Sequence, residues 1–153
     1  MGLKLTNTVP GKLINSIKAG SIRVSPSICY EIAFPDLIRK TASESNLLVT
    51  ISNDTWFGSS YGPIQHLEIA QNRALEHKKA ILRSTNSGIS AFISNNGKIL
   101  AKQGYFEDKI LKTEVNLYEG KTFYAKYGNL PLYLILSVIF ILILILKRKK
   151  EIY

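Results

Sequence analysis

One side chain in this 153-residue sequence is a strong nucleophile. Cys29 is the single cysteine, and Glu31 stands two residues beyond it. A thiolate attacks carbonyl carbon, and its surroundings set how readily the thiol gives up its proton. Cys29 closes an apolar run, SIRVSPSIC, and precedes a predicted helix. A sharp strand-to-helix junction there would expose the thiol at a sheet edge and direct helix-end dipoles at it. Glu31 is near enough to line the same pocket. The competing assignment is a small buried core cysteine, and composition alone leaves both open. His66 and His77 do not make a Cys–His pair. Both fall on one predicted helix, three turns and roughly 16 Å apart, too far to hold a metal together. HExxH, CxxC and a phosphate-cradling glycine loop are absent, so neither cofactor nor metal is expected.

The elements that would position Cys29 read as an α/β layered domain. The first twenty residues, punctuated by Pro10, Gly11 and Gly20, read as loop or edge material. Ser21 to Cys29 predicts a strand, with Pro26 arguing for an edge position or a bulge. Phe34 to Ser43 predicts a short helix, and Leu47 to Ile51 a buried strand. Ser52 to Pro63 (SNDTWFGSSYGP) is dense in turn formers. Within it, Asn53 and Asp54 are expected to pin the loop through side-chain bonds to backbone. Ile64 to Lys79 is the clearest helix, with an apolar stripe at Leu67, Ala70, Ala74 and Leu75. Ala80 to Arg83 and Ile89 to Ser94 predict strands about a turn at Ser84 to Gly88. Asn96-Gly97 signals a hairpin returning through Lys98 to Lys102. Ile110 to Val115 predicts a last strand.

The end of the chain differs in kind. Leu130 to Leu146 (LPLYLILSVIFILILIL) carries no charge, and KRKKEIY follows. Seventeen residues at 1.5 Å each reach ~26 Å, short of a ~30 Å hydrocarbon core. Snorkelling by Lys147, Arg148 and Tyr133 covers the deficit. The alternative of a buried soluble helix has no polar stripe to recommend it. The predicted division is therefore 1–129 polar domain, 130–146 transmembrane helix and 147–153 basic tail. The four cations mark the cytoplasmic end, which puts the preceding domain in the periplasm of a Gram-negative cell. A tail anchor of opposite orientation is the competing arrangement. Net charge is +9, but four of these charges are the terminal cluster and the rest are dispersed. No basic stripe interleaves with aromatics, so nucleic-acid binding is not expected, and a positive surface near a bilayer is the simpler explanation.

The strings Ile28-Cys29-Tyr30-Glu31-Ile32 and Ile51-Ser52-Asn53-Asp54-Thr55-Trp56-Phe57-Gly58 strongly resemble the catalytic C-terminal half of the apolipoprotein N-acyltransferases. Gln65-His66, Arg73-Ala74-Leu75-Glu76, Leu82 to Ile89 (LRSTNSGI) and Tyr124 to Asn129 (YAKYGN) match as well. The resemblance runs from about Ser21 to Lys150. It implies the C-terminal half of a nitrilase-like αββα sandwich followed by one C-terminal transmembrane helix, in the bacterial inner membrane. It also implies transfer of an acyl chain from a phospholipid, typically phosphatidylethanolamine, through a Cys29 thioester. The acceptor would be the amine of a diacylglyceryl-cysteine apolipoprotein. Cys29 would be the nucleophile, with Tyr30 and Glu31 as adjacent catalytic-pocket residues. Trp56 and Phe57 would lie on a mobile loop near the lipid acyl groups, loop packing being their plainer role. Glu76 is either an internal anchor or a solvent-facing helix residue.

The family's catalytic set is Glu-Lys-Cys, with the glutamate and lysine well upstream. Twenty-eight residues precede Cys29 and contain no glutamate, and Lys4, Lys12 and Lys18 lie outside the family's lysine motif. The expectation is a fragment of a longer protein or the C-terminal product of a split gene, inactive without an N-terminal part, which a separate half could supply, covering the exposed sheet face; a decayed reading frame is the third explanation. The alternatives are a carbon–nitrogen hydrolase acting on a soluble amide, and a non-catalytic membrane-anchored remnant.

Overall fold

The computed structural model describes residues 15–105, 107 and 109–150, and the side chains of these up to residue 148. The loop expected at the start of the chain falls largely outside them, as do Lys4 and Lys12. A mixed six-stranded sheet runs in chain order. Its strands are β1 (Ile17–Ala19), β2 (Ile22–Ile28), β3 (Leu47–Asn53), β4 (Ala80–Asn86), β5 (Ser90–Ile93) and β6 (Ile99–Gln103). β2, β3 and β4 are parallel, with Val24 opposite Leu47 and Leu47 opposite Ala80. β1 joins antiparallel through a tight turn in which Gly20 takes φ +61°, a conformation a side chain would disfavour. β1 pairs only with Ile22 to Val24. Pro26 therefore lies beyond it, on a side of β2 without a partner among the described residues, where its missing N–H leaves no gap in the ladder. The Asn96-Gly97 turn, with Gly97 at φ +77°, joins β5 to β6 as expected.

The parallel crossovers place helices α1 (Pro35–Ala42) and α2 (Gly62–His77) on one face of the sheet. Pro35 and Pro63 stand in the first turns, where a missing N–H costs nothing. Leu67, Ala70 and Ala74 of α2 are buried, and the alanines let it approach Leu48, Ile81 and Ile93 closely. Leu75 does not belong to this stripe: it is 43% exposed, beside Gly97. Among the described residues the second sheet face carries no helix. Val49, Leu82 and Phe92 are half-buried there, and Ile51 is 52% exposed.

The strand expected at Ile110 to Val115 does not form. This stretch has no regular structure. Lys109 and Leu111 border a cavity of about 220 Å³ with Val49, Leu82 and Phe92, and Val115 borders another with Ala80 and Leu100. The segment thus crosses over the second face, and a chain crossing a face cannot share the edge ladder a strand requires. Beyond it, Glu119 pairs with Arg23 and accepts from Asn46 at 3.0 Å. Thr122 then caps a short helix, α3 (Phe123–Tyr127), and donates to the carbonyl of Glu76 at 2.5 Å.

The last helix, α4, spans Leu130–Lys150. At 1.5 Å per residue its length is ~31 Å, because it continues through the basic residues, and it is long enough to cross a bilayer. Its apolar side chains are exposed around the whole circumference, Leu136 and Phe140 at 52% and 62% among them. Among the described residues nothing buries this helix.

Candidate active site

Cys29 sits where β2 ends and a one-turn 3-10 helix, Cys29–Ala33, begins. Its φ of +52° is unusual for a residue with a side chain. The chain turns sharply at the C-terminal end of the parallel strands, and the thiol is partly open. The buried-core alternative for Cys29 is therefore set aside, and the predicted junction is present.

Two hydrogen bonds hold this strained turn, and His66 borders it. The Glu31 carboxylate accepts from the Ile28 N–H at 2.7 Å, closing the turn on itself. His66 Nε2 lies 3.2 Å from the Cys29 carbonyl oxygen, and Arg73 Nε donates to the Ile32 carbonyl at 3.1 Å. His66 and Arg73 are seven residues apart on α2, so two helical turns bring both to the same face. Arg73 in turn pairs with Glu76, which settles Glu76 as an internal anchor.

Beneath the thiol lies a buried polar cluster that sequence reasoning missed. Asp54 is 2% exposed; its Oδ2 accepts from Arg83 Nη2 at 2.6 Å. Its Oδ1 accepts from Ser52 Oγ at 2.6 Å and lies 3.0 Å from His66 Nδ1. Arg83 also donates from Nε to the Ile89 carbonyl at 3.2 Å. Asp54 does not pin the loop to backbone as expected. Asn53 does, accepting from the Thr55 N–H at 3.1 Å. Gly88 packs against Asp54 so closely that a Cβ there would stand 2.7 Å from the Asp54 Cβ.

The His66 ring faces two acceptors, so only an imidazolium would satisfy both. Burial and the Arg83 guanidinium lower its pKa, against the opposing pull of Asp54. The neutral ring then donates from Nδ1 to the carboxylate, the charge-assisted bond, and Asp54 and Arg83 balance each other's charge. Ser52 Oγ also lies 3.5 Å from Cys29 Sγ. A hydroxyl has one proton. When it serves Asp54, the thiol S–H can donate to Ser52 Oγ; when the thiolate forms, the hydroxyl can turn toward sulfur.

The other residues singled out from the sequence surround this centre. Tyr30 is 55% exposed and packs edge-on against Phe34, with ring centroids 6.0 Å apart. Phe57 is half-buried, 5.7 Å from the His66 ring and against Gly62, where a Cβ would meet Phe57 Cγ at 2.7 Å. Trp56 is 88% exposed. Phe57 therefore packs the loop while Trp56 projects from it. Gly58 to Tyr61, Ile64 and Tyr105 line an adjoining hollow of about 590 Å³. His66 and His77 are both buried rather than solvent-facing; His77 packs against Tyr124, their ring centroids 6.0 Å apart.

The carbon–nitrogen hydrolase family matches residues 8–123. An apolipoprotein N-acyltransferase of Shewanella oneidensis is 45% identical over 130 residues, covering 84% of this chain and 25% of that protein. One from Wigglesworthia glossinidia brevipalpis is 42% identical over 151 residues, covering 97% of this chain and 30% of its own length. The chain thus spans between a quarter and a third of the length of these relatives. A solved carbon–nitrogen hydrolase from Helicobacter pylori superposes with a TM-score of 0.59 at 15% identity, over 65% of this chain and 43% of that one. That likeness establishes the fold, a nitrilase-like αββα topology of which the sheet and its helical layer are present here. On the extent of the family match and the shared fold, the chain belongs to the carbon–nitrogen hydrolase family, with the C-terminal domain of the apolipoprotein N-acyltransferases as its close kin.

Proposed function

We propose that this chain carries the nucleophile of an acyltransferase that moves a fatty acyl chain from a phospholipid to the N-terminal amine of a diacylglyceryl-cysteine apolipoprotein. The observation that supports it best is Cys29 held at φ +52° at the open end of the parallel strands, beside exposed aromatics and followed by an apolar helix of membrane length. The Cys29 thiolate attacks the ester carbonyl, the C–O bond to glycerol breaks, and the lysophospholipid oxygen leaves with a proton. The acceptor amine then attacks the thioester, the C–S bond breaks, and the thiolate returns.

Glu31 and Arg73 hold the turn that presents sulfur, and Tyr30, Trp56 and Phe57 form the apolar mouth that receives the acyl chain and excludes water. Among the described residues Ser52 Oγ is the hydrogen-bond partner of Sγ, and Glu31 is spent on the Ile28 N–H. The proton acceptor lies outside the described residues, in the glutamate and lysine that the family resemblance implies N-terminal to Cys29. Phosphatidylethanolamine serves as donor. The domain faces the periplasm from the bacterial inner membrane, and the tail after Leu146 lies in the cytoplasm.

The test is intact-mass detection of an acyl-enzyme. The chain is incubated with phosphatidylethanolamine vesicles, alone and with an N-terminal half from a relative. A hydroxylamine-labile acyl adduct, absent in Cys29→Ser and dependent on the partner, is the expected result. No adduct with a folded, partnered domain refutes the proposal.

A further inference from the structure

A second feature lies away from the thiol. Arg39 and Lys40 near the end of α1, Ser43 just after it, and Lys121 and Lys126 around α3 line a cleft of about 480 Å³. The Cys29 turn abuts the opposite end of α1, eight residues or ~12 Å away. Four cations share this cleft. Arg39 is partly engaged by Asp36, at 3.4 Å, while Lys40, Lys121 and Lys126 make no ion pair among the described residues. Glu119, the nearby carboxylate, is committed to Arg23 and Asn46. Four positive charges converging with one paired acid, Asp36, among them repel one another, so the arrangement favours an anionic ligand.

The position of the cleft says where that anion comes from. α3 ends three residues before α4 starts, and Gly128 lies against Arg39, where a Cβ would meet Nε at 3.3 Å. The cleft is thus tied to the first turn of the apolar helix. Phe123 and Tyr127, their rings tilted against each other with centroids 4.8 Å apart, are 67% and 51% exposed, and Tyr133 one turn into α4 is 60% exposed. Exposed aromatics flanking the start of such a helix mark the lipid–water interface, the depth at which lipid phosphates lie.

We propose that this cleft is a binding site for the phosphate of a membrane glycerophospholipid, separate from the thiol site, which seats the domain on the bilayer. It rests on the reading that α4 spans the membrane, and not on acyl transfer. Arg39 supplies planar N–H donors to the phosphate oxygens, and the three lysines close around them as point charges.

The experiment uses the full chain as Cys29→Ser, so that acyl transfer contributes nothing. Bound lipid is counted by native mass spectrometry from detergent micelles titrated with phosphatidylglycerol. One tightly retained lipid is expected. Lys40→Gln with Lys126→Gln, both exposed, should weaken retention roughly thirtyfold, about a factor of five for each cation. The control pair, Lys98→Gln with Lys102→Gln on the β5–β6 hairpin, makes the same charge change across the sheet and should stay within about twofold. Equal weakening by both pairs would mean diffuse charge attraction and would overturn the site, as would no weakening by the first. Retention of phosphate-free diacylglycerol equal to that of phosphatidylglycerol would overturn phosphate recognition. Full displacement by millimolar inorganic phosphate at constant ionic strength would reassign the cleft to free phosphate and overturn the lipid assignment.

Discussion

Replacing Arg83 by methionine would leave Asp54 as a buried carboxylate without its cation. Both side chains are fully shielded from solvent, and Nη2 stands 2.6 Å from Oδ2. Breaking such a pair from one side costs about 3–5 kcal/mol, since the abandoned charge keeps its desolvation penalty and loses its partner. The freed Ile89 carbonyl adds to this. Against a typical total of about 5–15 kcal/mol, the loss is severe. Asp54→Asn combined with Arg83→Met removes both charges, retains an oxygen to accept from Ser52 and His66, and should recover most of the loss. The assay is urea unfolding in micelles followed by far-UV circular dichroism. There the apolar helix α4 stays folded and contributes a constant signal. Tryptophan emission is a poor reporter, because the single tryptophan, Trp56, is already 88% exposed in the folded chain. A loss under about 1 kcal/mol for Arg83→Met, or a double variant whose losses simply add, would refute the reasoning.

Gly88→Ala should destabilise by about 1–3 kcal/mol in the same assay, because the new methyl group overlaps Asp54 and the charge cluster cannot give way. Cys29→Gly should lose any acyl adduct yet unfold within about 1 kcal/mol of the parent, relief of the left-handed strain offsetting the lost side chain. His77, buried near Arg73 and Lys79, has its pKa lowered from 6.5 to about 4, chiefly by burial. The unfolded chain takes up this proton below pH 6.5 while the folded one refuses it. Stability is therefore full above 6.5 and falls as pH drops toward 4, by roughly 3 kcal/mol in all. His77→Phe should flatten that slope, with the remainder due to His66, which is lowered in the same direction. Trp56→Ala should leave the urea midpoint unchanged, as the ring touches mainly solvent, and reduce acyl-adduct formation from vesicles.

Much of the fold was legible because its signals are local. Leu47 to Ile51 announces a buried strand through consecutive apolar residues, and the alanine and leucine spacing of α2 announces its buried stripe. Asn96-Gly97 needs only a turn's worth of sequence to declare a hairpin. Leu75 and the 110–115 segment were misread for a shared reason. Periodicity and β-branching say that a segment has apolar positions but not whether a ladder or a core waits for them. The nucleophile was legible as a lone cysteine at an element boundary. Its supports were not: Asp54 opens a 3-10 turn, while His66 on a helix and Arg83 on a strand lie 12 and 29 residues further on, and each has an unremarkable local role.

The sequence by itself determined the family, the layered α/β core, the position of Cys29 and an apolar helix long enough to span a membrane. Each of these depends on residue type and spacing within one or two elements. Only the tertiary structure decided that Asp54 is a buried counter-ion rather than a loop pin, and that His66 bonds this carboxylate beneath the nucleophile's turn. It also decided that four dispersed cations converge beside the start of α4. Charge pairing and hydrogen bonding act over about 3–4 Å, and such distances between residues far apart in sequence exist only once the layers have packed.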